Sequence, residues 1–155
     1  MRKTGFGILS ATRPGATLLR VGLLAGVLTG ALVMARPAAA AGGVTQDGVT
    51  VTPVMTQALP DYPGKEAVMI TVEYAPGAAD PIHRHDAHGF IYVLEGSIVM
   101  GVKGGKEVTL GPGQAFHEGP ADIHTVGRNA STTKPAKFVV VLLKEKGAPI
   151  LTPVK

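Results

Sequence analysis

Residues 81–96, PIHRHDAHGFIYVLEG, place three of the five histidines of the chain within six positions, directly ahead of an apolar run. The run FIYVL is typical of a buried strand. His83 and His85 lie two positions apart in an extended segment, so both side chains point to the same face of a sheet. This stretch therefore predicts a β-fold in which two imidazoles converge on one face.

Five further segments are rich in β-branched and apolar residues and are bounded by glycine, proline or charged turn residues. They are residues 50–57, 66–75, 97–102, 107–110 and 137–143. The pairs Glu95-Gly96 and Gly104-Gly105 both suit tight hairpins. No stretch beyond residue 41 shows helical periodicity over ten or more positions. Short strands at close spacing predict an all-β fold, either an antiparallel barrel or a sandwich.

Residues 1–41 have the features of a secretory signal peptide: a basic lead, an uncharged apolar stretch at 21–35, and the small residues of RPAAAAG as a cleavage site. An uncleaved membrane anchor is the competing interpretation, but the apolar stretch is about 15 residues long and a spanning helix needs roughly 20. We expect cleavage, a periplasmic or secreted location, and no stable membrane anchor afterwards. The mature chain, residues 42–155, is then one domain with its core at about 49–145.

The charge of the chain changes when this leader is removed. Five of the fifteen lysines and arginines lie in the leader and all eleven acidic residues lie beyond it, so the mature chain carries 10 − 11 = −1 instead of +4. Without a basic stripe, nucleic acid is not an expected partner, and a small-molecule ligand or substrate is. The chain has no cysteine, which excludes disulfides, a thiolate nucleophile and sulfur metal ligands.

A further histidine, outside the stretch at 81–96, lies 39 positions beyond His85. His124, in PADIHTV, begins another apolar segment. Any one of these histidines alone is more simply interpreted as a surface residue or a hydrogen-bonded core residue. Three neutral imidazoles, however, leave open positions on a divalent first-row metal such as Fe, Mn, Ni, Cu or Zn. The pair on one strand with a distant third histidine favours a metal site formed by His83, His85 and His124.

Two stretches of the sequence have a spacing typical of a known family. In the first, Gly77 is followed by five residues, His-Arg-His, three residues, Gly89, six residues and Gly96. In the second, Gly113 is followed by QAFHEGPADI and His124. By these motifs the chain resembles the small single-domain members of the cupin superfamily.

The resemblance implies a jelly-roll barrel, the double-stranded β-helix, with a metal held inside by His83, His85 and His124. The chain departs from the family pattern at Gly89, where cupins usually have a glutamate ligand. The second motif departs further, because Gly119, Ala121 and Arg128 replace its proline, glycine and asparagine. The fourth metal ligand is therefore left open.

Glu118 is the first candidate to replace the missing carboxylate. Counting by two along QAFHEG places Phe116 and Glu118 on one face and His117 on the other. If Phe116 packs inside the barrel, Glu118 points to the same cavity and is a metal ligand or a general base. In the competing interpretation, Glu118 lies at the barrel rim and pairs with a lysine or arginine. His88 is a second candidate, although its place in the strand predicts that it faces away, as His117 does.

The resemblance implies dioxygenase, isomerase or lyase chemistry on a small organic molecule. The sequence contains no phosphate-binding loop and no nucleophile elbow, so in an enzyme the metal must carry the reaction. The alternative is a non-catalytic cupin that binds metal or a small ligand as a sensor or accessory protein. A homodimer is also expected, because the strand at 50–57 is a long apolar edge that a second copy would cover.

Overall fold

The structure of the protein, a computed structural model, describes residues 42–154. The predicted signal peptide and the final residue of the predicted domain lie outside this range. The described part is all-β, as predicted, and no helix in it is long and apolar enough to cross a membrane. Its strands are β1 (Val44–Gln46), β2 (Val49–Ala58), β3 (Lys65–Tyr74), β4 (His83–Arg84), β5 (Ala87–Glu95), β6 (Ile98–Val102), β7 (Val108–Leu110), β8 (Ala115–Glu118), β9 (His124–Asn129), β10 (Ala136–Glu145) and β11 (Thr152–Pro153).

These strands form two sheets. The six-stranded sheet has the order β1-β2-β3-β10-β5-β8, and the five-stranded sheet has the order β11-β4-β9-β6-β7. All the pairings are antiparallel. Along the chain, β3 is followed by seven changes of sheet, and from there only β6 and β7 are consecutive strands of the same sheet. Strands that alternate between two sheets in this way make a jelly roll, which agrees with the predicted cupin barrel.

The hydrophobic core lies between the two sheets. Strands β3, β5 and β10 alternate buried and less buried residues, as expected when one face of a sheet packs and the other meets solvent. Tyr74 and Phe138 meet edge to face in this core, with ring centroids 5.0 Å apart. The largest fully buried side chains are Tyr74, Val93, Ile98, Met100 and Leu142.

The two predicted hairpins have different outcomes. Gly105 N–H donates to the carbonyl of Val102 at 2.9 Å, and β6 pairs with β7, which confirms the hairpin at Gly104-Gly105. The hairpin at Glu95-Gly96 is wrong, because β5 and β6 belong to different sheets. Gly96 has a φ of +69°, and a Cβ there would lie 2.4 Å from the carbonyl oxygen of Pro135. The glycine thus serves a tight crossing between the sheets.

Candidate metal centre

Two paired strands of the five-stranded sheet bring the three predicted histidines together. His83 on β4 is the direct cross-strand partner of His124 on β9. His85 follows two positions later and points to the same side. One ring nitrogen from each histidine lies within 4.8 Å of the others, and His83 and His124 are buried. The structure therefore assembles the predicted constellation, and these residues could hold one metal ion.

Backbone carbonyls orient two of these rings. The Nδ1 of His83 lies 2.7 Å from the carbonyl oxygen of Pro81, and the Nδ1 of His85 lies against that of Ile150. A ring nitrogen that faces a carbonyl oxygen must carry the proton, so each ring donates from Nδ1 and leaves Nε2 with its lone pair when neutral. The two Nε2 atoms are 3.1 Å apart. Carbonyls in this position are typical of the outer shell around histidine metal ligands.

Glu118 is buried and faces the histidines. Its Oε1 lies 3.1 Å from His85 Nε2, and its Oε2 lies 3.5 Å from His124 Nδ1. Position 118 on β8 is paired directly with Gly89 on β5. A Cβ at Gly89 would lie 2.8 Å from Oε1 and 2.9 Å from Cγ of Glu118. The carboxylate of Glu118 thus fills the space beside Gly89, and its position agrees with the inward interpretation rather than with a rim ion pair.

The charges of this cluster shift its pKa values. Burial disfavours a charged His85, but the hydrogen bond and charge of Glu118 outweigh it and raise the pKa of His85. Burial likewise opposes charge on Glu118, and the bond to His85 with the charges of the histidines lowers the pKa of Glu118. The pKa of His83 is lowered, first by burial and then by the neighbouring imidazoles. Without a metal, the contact between the two residues therefore favours the protonated form of His85 and the ionised form of Glu118.

His124 provides the test of whether this site suits a metal. Both of its ring nitrogens are buried and have no hydrogen-bond partner among the residues that the structure describes. An unpaired buried polar group is costly, and such groups in native proteins call for an explanation. A metal bound to His83, His85 and His124 would supply the missing partner, and nitrogen ligands with a carboxylate suit a divalent transition metal. The three histidines and the neighbouring carboxylate therefore fit a divalent transition metal.

Asp80 is a second carboxylate beside the site, and sequence reasoning missed it. Its Oδ2 accepts a hydrogen bond from the buried hydroxyl of Tyr74, and its side chain lines the same small cavity as the histidines and Glu118. The pKa of Tyr74 is raised, first by burial and then by the charge of Asp80 and the bond to it. The one feature of the sequence that could have indicated Asp80 is its position as an acidic residue three positions before His83.

His88 and His117 lie outside this cluster. Both are exposed, on β5 and β8, with His88 Nδ1 3.3 Å from His117 Nε2. The next residue along each strand, Gly89 after His88 and Glu118 after His117, is buried. The period of two along each strand thus places them on the outer face, as expected from the sequence.

The comparisons with known proteins agree with this fold. The family model of the cupin domain matches residues 70–142, which run from the second half of β3 into β10 and include all three histidines. The chain belongs to the cupin superfamily. Among curated proteins, none matches this cupin significantly.

Solved structures resemble this cupin across most of the described residues. The polyketide cyclase RemF from Streptomyces resistomycificus has a TM-score of 0.53 at 24% identity, over 76% of this chain and 77% of the other. An RmlC-like cupin from Shewanella frigidimarina has a TM-score of 0.55 at 16% identity, over 70% and 87%. Oxalate oxidase in complex with glycolate has a TM-score of 0.54 at 24% identity, over 71% and 57%. At these identities the likeness establishes the fold.

Proposed function

We propose that this cupin is an exported metal-dependent enzyme of the dioxygenase, isomerase or lyase type that acts on a small organic molecule. The observation that carries the proposal is the buried His124, whose ring nitrogens have no hydrogen-bond partner among residues 42–154 although the ring lies beside two further imidazoles and a carboxylate. The solved structures of a polyketide cyclase and an oxalate oxidase support it at the level of the fold, because both share the fold of this chain and both are named as enzymes. The leader-like residues 1–41 support export.

A divalent Fe, Mn, Ni, Cu or Zn ion at this site would act as a Lewis acid toward a bound substrate oxygen. The protein residues supply the rest. His83, His85 and His124 hold the ion, with Nδ1 of the first two anchored to backbone carbonyls. Glu118 is the nearest carboxylate and either completes the ligand set or accepts a proton from the substrate as general base. Asp80, held by Tyr74, offers a second proton acceptor in the same cavity.

Metal content of the purified mature protein tests the site. We expect about one ion per chain in the native protein and less than about a tenth of that in His83→Ala, His85→Ala and His124→Ala, because each change removes a metal bond. The matched controls are His88→Ala and His117→Ala, which delete histidines on the outer face and should retain the ion. Full occupancy in both His83→Ala and His124→Ala, beside an unchanged circular dichroism spectrum, would falsify the shared site.

The identity of the ion separates the chemistries. Iron, copper or nickel supports reactions with oxygen, whereas zinc supports isomerising or hydrolytic reactions. A native protein that binds no metal at all supports the non-catalytic binding alternative and contradicts the proposed enzyme.

A further inference from the structure

A second and much larger cavity adjoins the metal site. Its volume is about 650 Å³, against about 60 Å³ for the cavity that the histidines line. The two share five lining residues, namely Val51, Ile70, Asp80, Ile150 and Leu151. Pockets for ligands of drug size occupy roughly 300–1,000 Å³. The small cavity therefore accommodates an ion and a few substrate atoms, and the large one has room for the body of a substrate.

The wall of the large cavity is mostly apolar. It is formed by the inner face of β2, the first half of β3, and the chain around residues 147–151. On β3 the apolar residues Val68 and Ile70 are buried, but on β2 Val49 and Val51 are only half-buried and Pro53 is exposed. The inner face of β2 thus keeps apolar surface that a ligand could cover. Burial of such surface favours an apolar ligand.

The charges of the cavity disfavour an anionic ligand body. Lys144 is the one cation among the lining residues that the structure describes. Its Nζ donates to Glu66 Oε1 at 2.5 Å, to the carbonyl of Ala148 at 2.6 Å and to that of Glu145 at 3.3 Å. These bonds use all three ammonium hydrogens. The carboxylates of Asp47, Glu66 and Asp80 also line the cavity, so a carboxylate or phosphate along the ligand would meet like charges and no unpaired cation among the described lining residues.

We propose that the substrate is an elongated, neutral and mostly apolar molecule with its metal-binding oxygen atoms at one end. This end reaches His83, His85 and His124, and the apolar body extends past Ile70 and Val51 along β2. The inference rests on the proposed function for the polar end, whereas the apolar body rests on the large cavity alone. Small hydrophilic acids, which would leave the large cavity unfilled, are poor substrates.

Two hydroxamates of different length test this proposal on the zinc-loaded protein by calorimetry. Acetohydroxamate carries only the chelating end, and octanohydroxamate adds six methylenes. We expect octanohydroxamate to bind about a hundredfold more tightly or better, because each methylene that leaves water adds to the affinity. Thr56→Trp, which places a large ring in the wall of the large cavity at a residue that does not line the histidine cavity, should reduce this preference at least tenfold. Gln57→Trp, the neighbouring exposed position outside the wall, should leave it unchanged.

The outcomes separate this inference from the proposed function. If acetohydroxamate binds and the longer chain adds less than about threefold, or if Thr56→Trp leaves the preference intact, the apolar substrate is ruled out and the metal site stands. If neither hydroxamate binds the zinc-loaded protein, the open metal position and the substrate proposal both fall. Fluorescence of the neutral dye N-phenylnaphthylamine, bound to metal-free protein, checks the cavity separately: it should be lost in Thr56→Trp and kept in Gln57→Trp. Equal binding to both variants also contradicts the proposal.

Discussion

At the scale of single residues, the site depends on how Glu118 and His85 share a proton. Glu118 raises the pKa of His85, so in the metal-free protein His85 keeps its proton to a higher pH than an isolated histidine does. A metal must displace that proton to bind Nε2, and its affinity therefore weakens as the pH falls through this raised pKa. The carboxylate of Glu118 has two opposing effects on metal binding. Its negative charge attracts the metal, but it also stabilises the proton on His85 that the metal must displace.

Replacing Glu118 by Gln separates these effects. Without the carboxylate the pKa of His85 falls, and the pH at which half of the zinc affinity is lost should move to a lower value. At a pH where the imidazoles are neutral, the affinity itself should drop about 10–100-fold, as it does when a supporting group of a metal site is removed. Zinc titrations against a competing chelator between about pH 5 and 8 measure both. If neither the midpoint nor the affinity changes, Glu118 has no part in metal binding.

The sequence predicted the histidines of this site but not all of its acids. His-x-His on an extended segment requires only a period of two, and that period alone placed His88 and His117 outside. The same count gave the direction of Glu118. Whether its side chain lies in the cavity or at the rim could be decided only from the pairing of β8 with β5. Asp80 escaped because its role depends on the hydroxyl of Tyr74, a contact between segments that no local pattern contains.

At the scale of strands, the pairing of β5 with β8 gives Gly89 a specific role. Its neighbour across the ladder is Glu118, whose side chain passes over the glycine. The usual cupin glutamate and the carboxylate of Glu118 would compete for this space. A carboxylate on β8 is thus compatible only with a very small residue on β5.

Gly89→Ala tests this dependence by a double-mutant cycle. We expect a loss of about 1–3 kcal/mol in the free energy of unfolding, because the new Cβ would lie within 2.9 Å of Glu118 atoms and the strand must shift. In the Glu118→Ala background the same change should cost at least about 0.5 kcal/mol less, since the clash is gone. Urea unfolding of the four metal-free proteins gives the coupling. Equal costs in both backgrounds would show that the backbone, and not Glu118, demands glycine at this position.

The long strands were predictable, and the strands of two residues were not. Residues 50–57 and 137–143 fall within β2 and β10, and residues 66–75 match β3 to within one residue at each end, because ten-residue strands show a repeated apolar pattern. Strands β4 and β11 have two residues each, too few for any period. The hairpin at Glu95-Gly96 was wrong because a tight turn between two apolar runs does not reveal whether the second run joins the same sheet.

At the scale of the whole molecule, the outer face of the six-stranded sheet and the edge strand β2 expose apolar side chains. Phe90, Tyr92 and Leu94 on β5 are between 40% and 49% exposed, and Val54 and Met55 on β2 are at least half exposed. Strand β1 pairs with the first three residues of β2, and no other described strand covers the rest of this edge. Exposed edges of this kind favour association with another strand.

We predict a homodimer in which the β2 edges meet. Light scattering at micromolar concentration should give twice the mass of the mature chain, and Met55→Lys should shift it toward the monomer because a lysine on an edge strand opposes pairing. Tyr62→Lys, at an exposed apolar position in the β2–β3 loop, is the matched control and should remain dimeric. A monomeric native protein contradicts the prediction.

The contact between His85 and the carbonyl of Ile150 also bears on the order of events during synthesis. The two residues are 65 positions apart, and Ile150 leaves the ribosome after all of strands β1 to β10. A nascent chain that exposes His83 and His85 therefore lacks the clamp that fixes the second ring, and it lacks His124 for a further 39 residues. Such an unfinished chain has only two loosely held imidazoles and would take whichever ion follows the general affinity series, copper above all. Selectivity for another ion can arise only once the chain has been completed and folded.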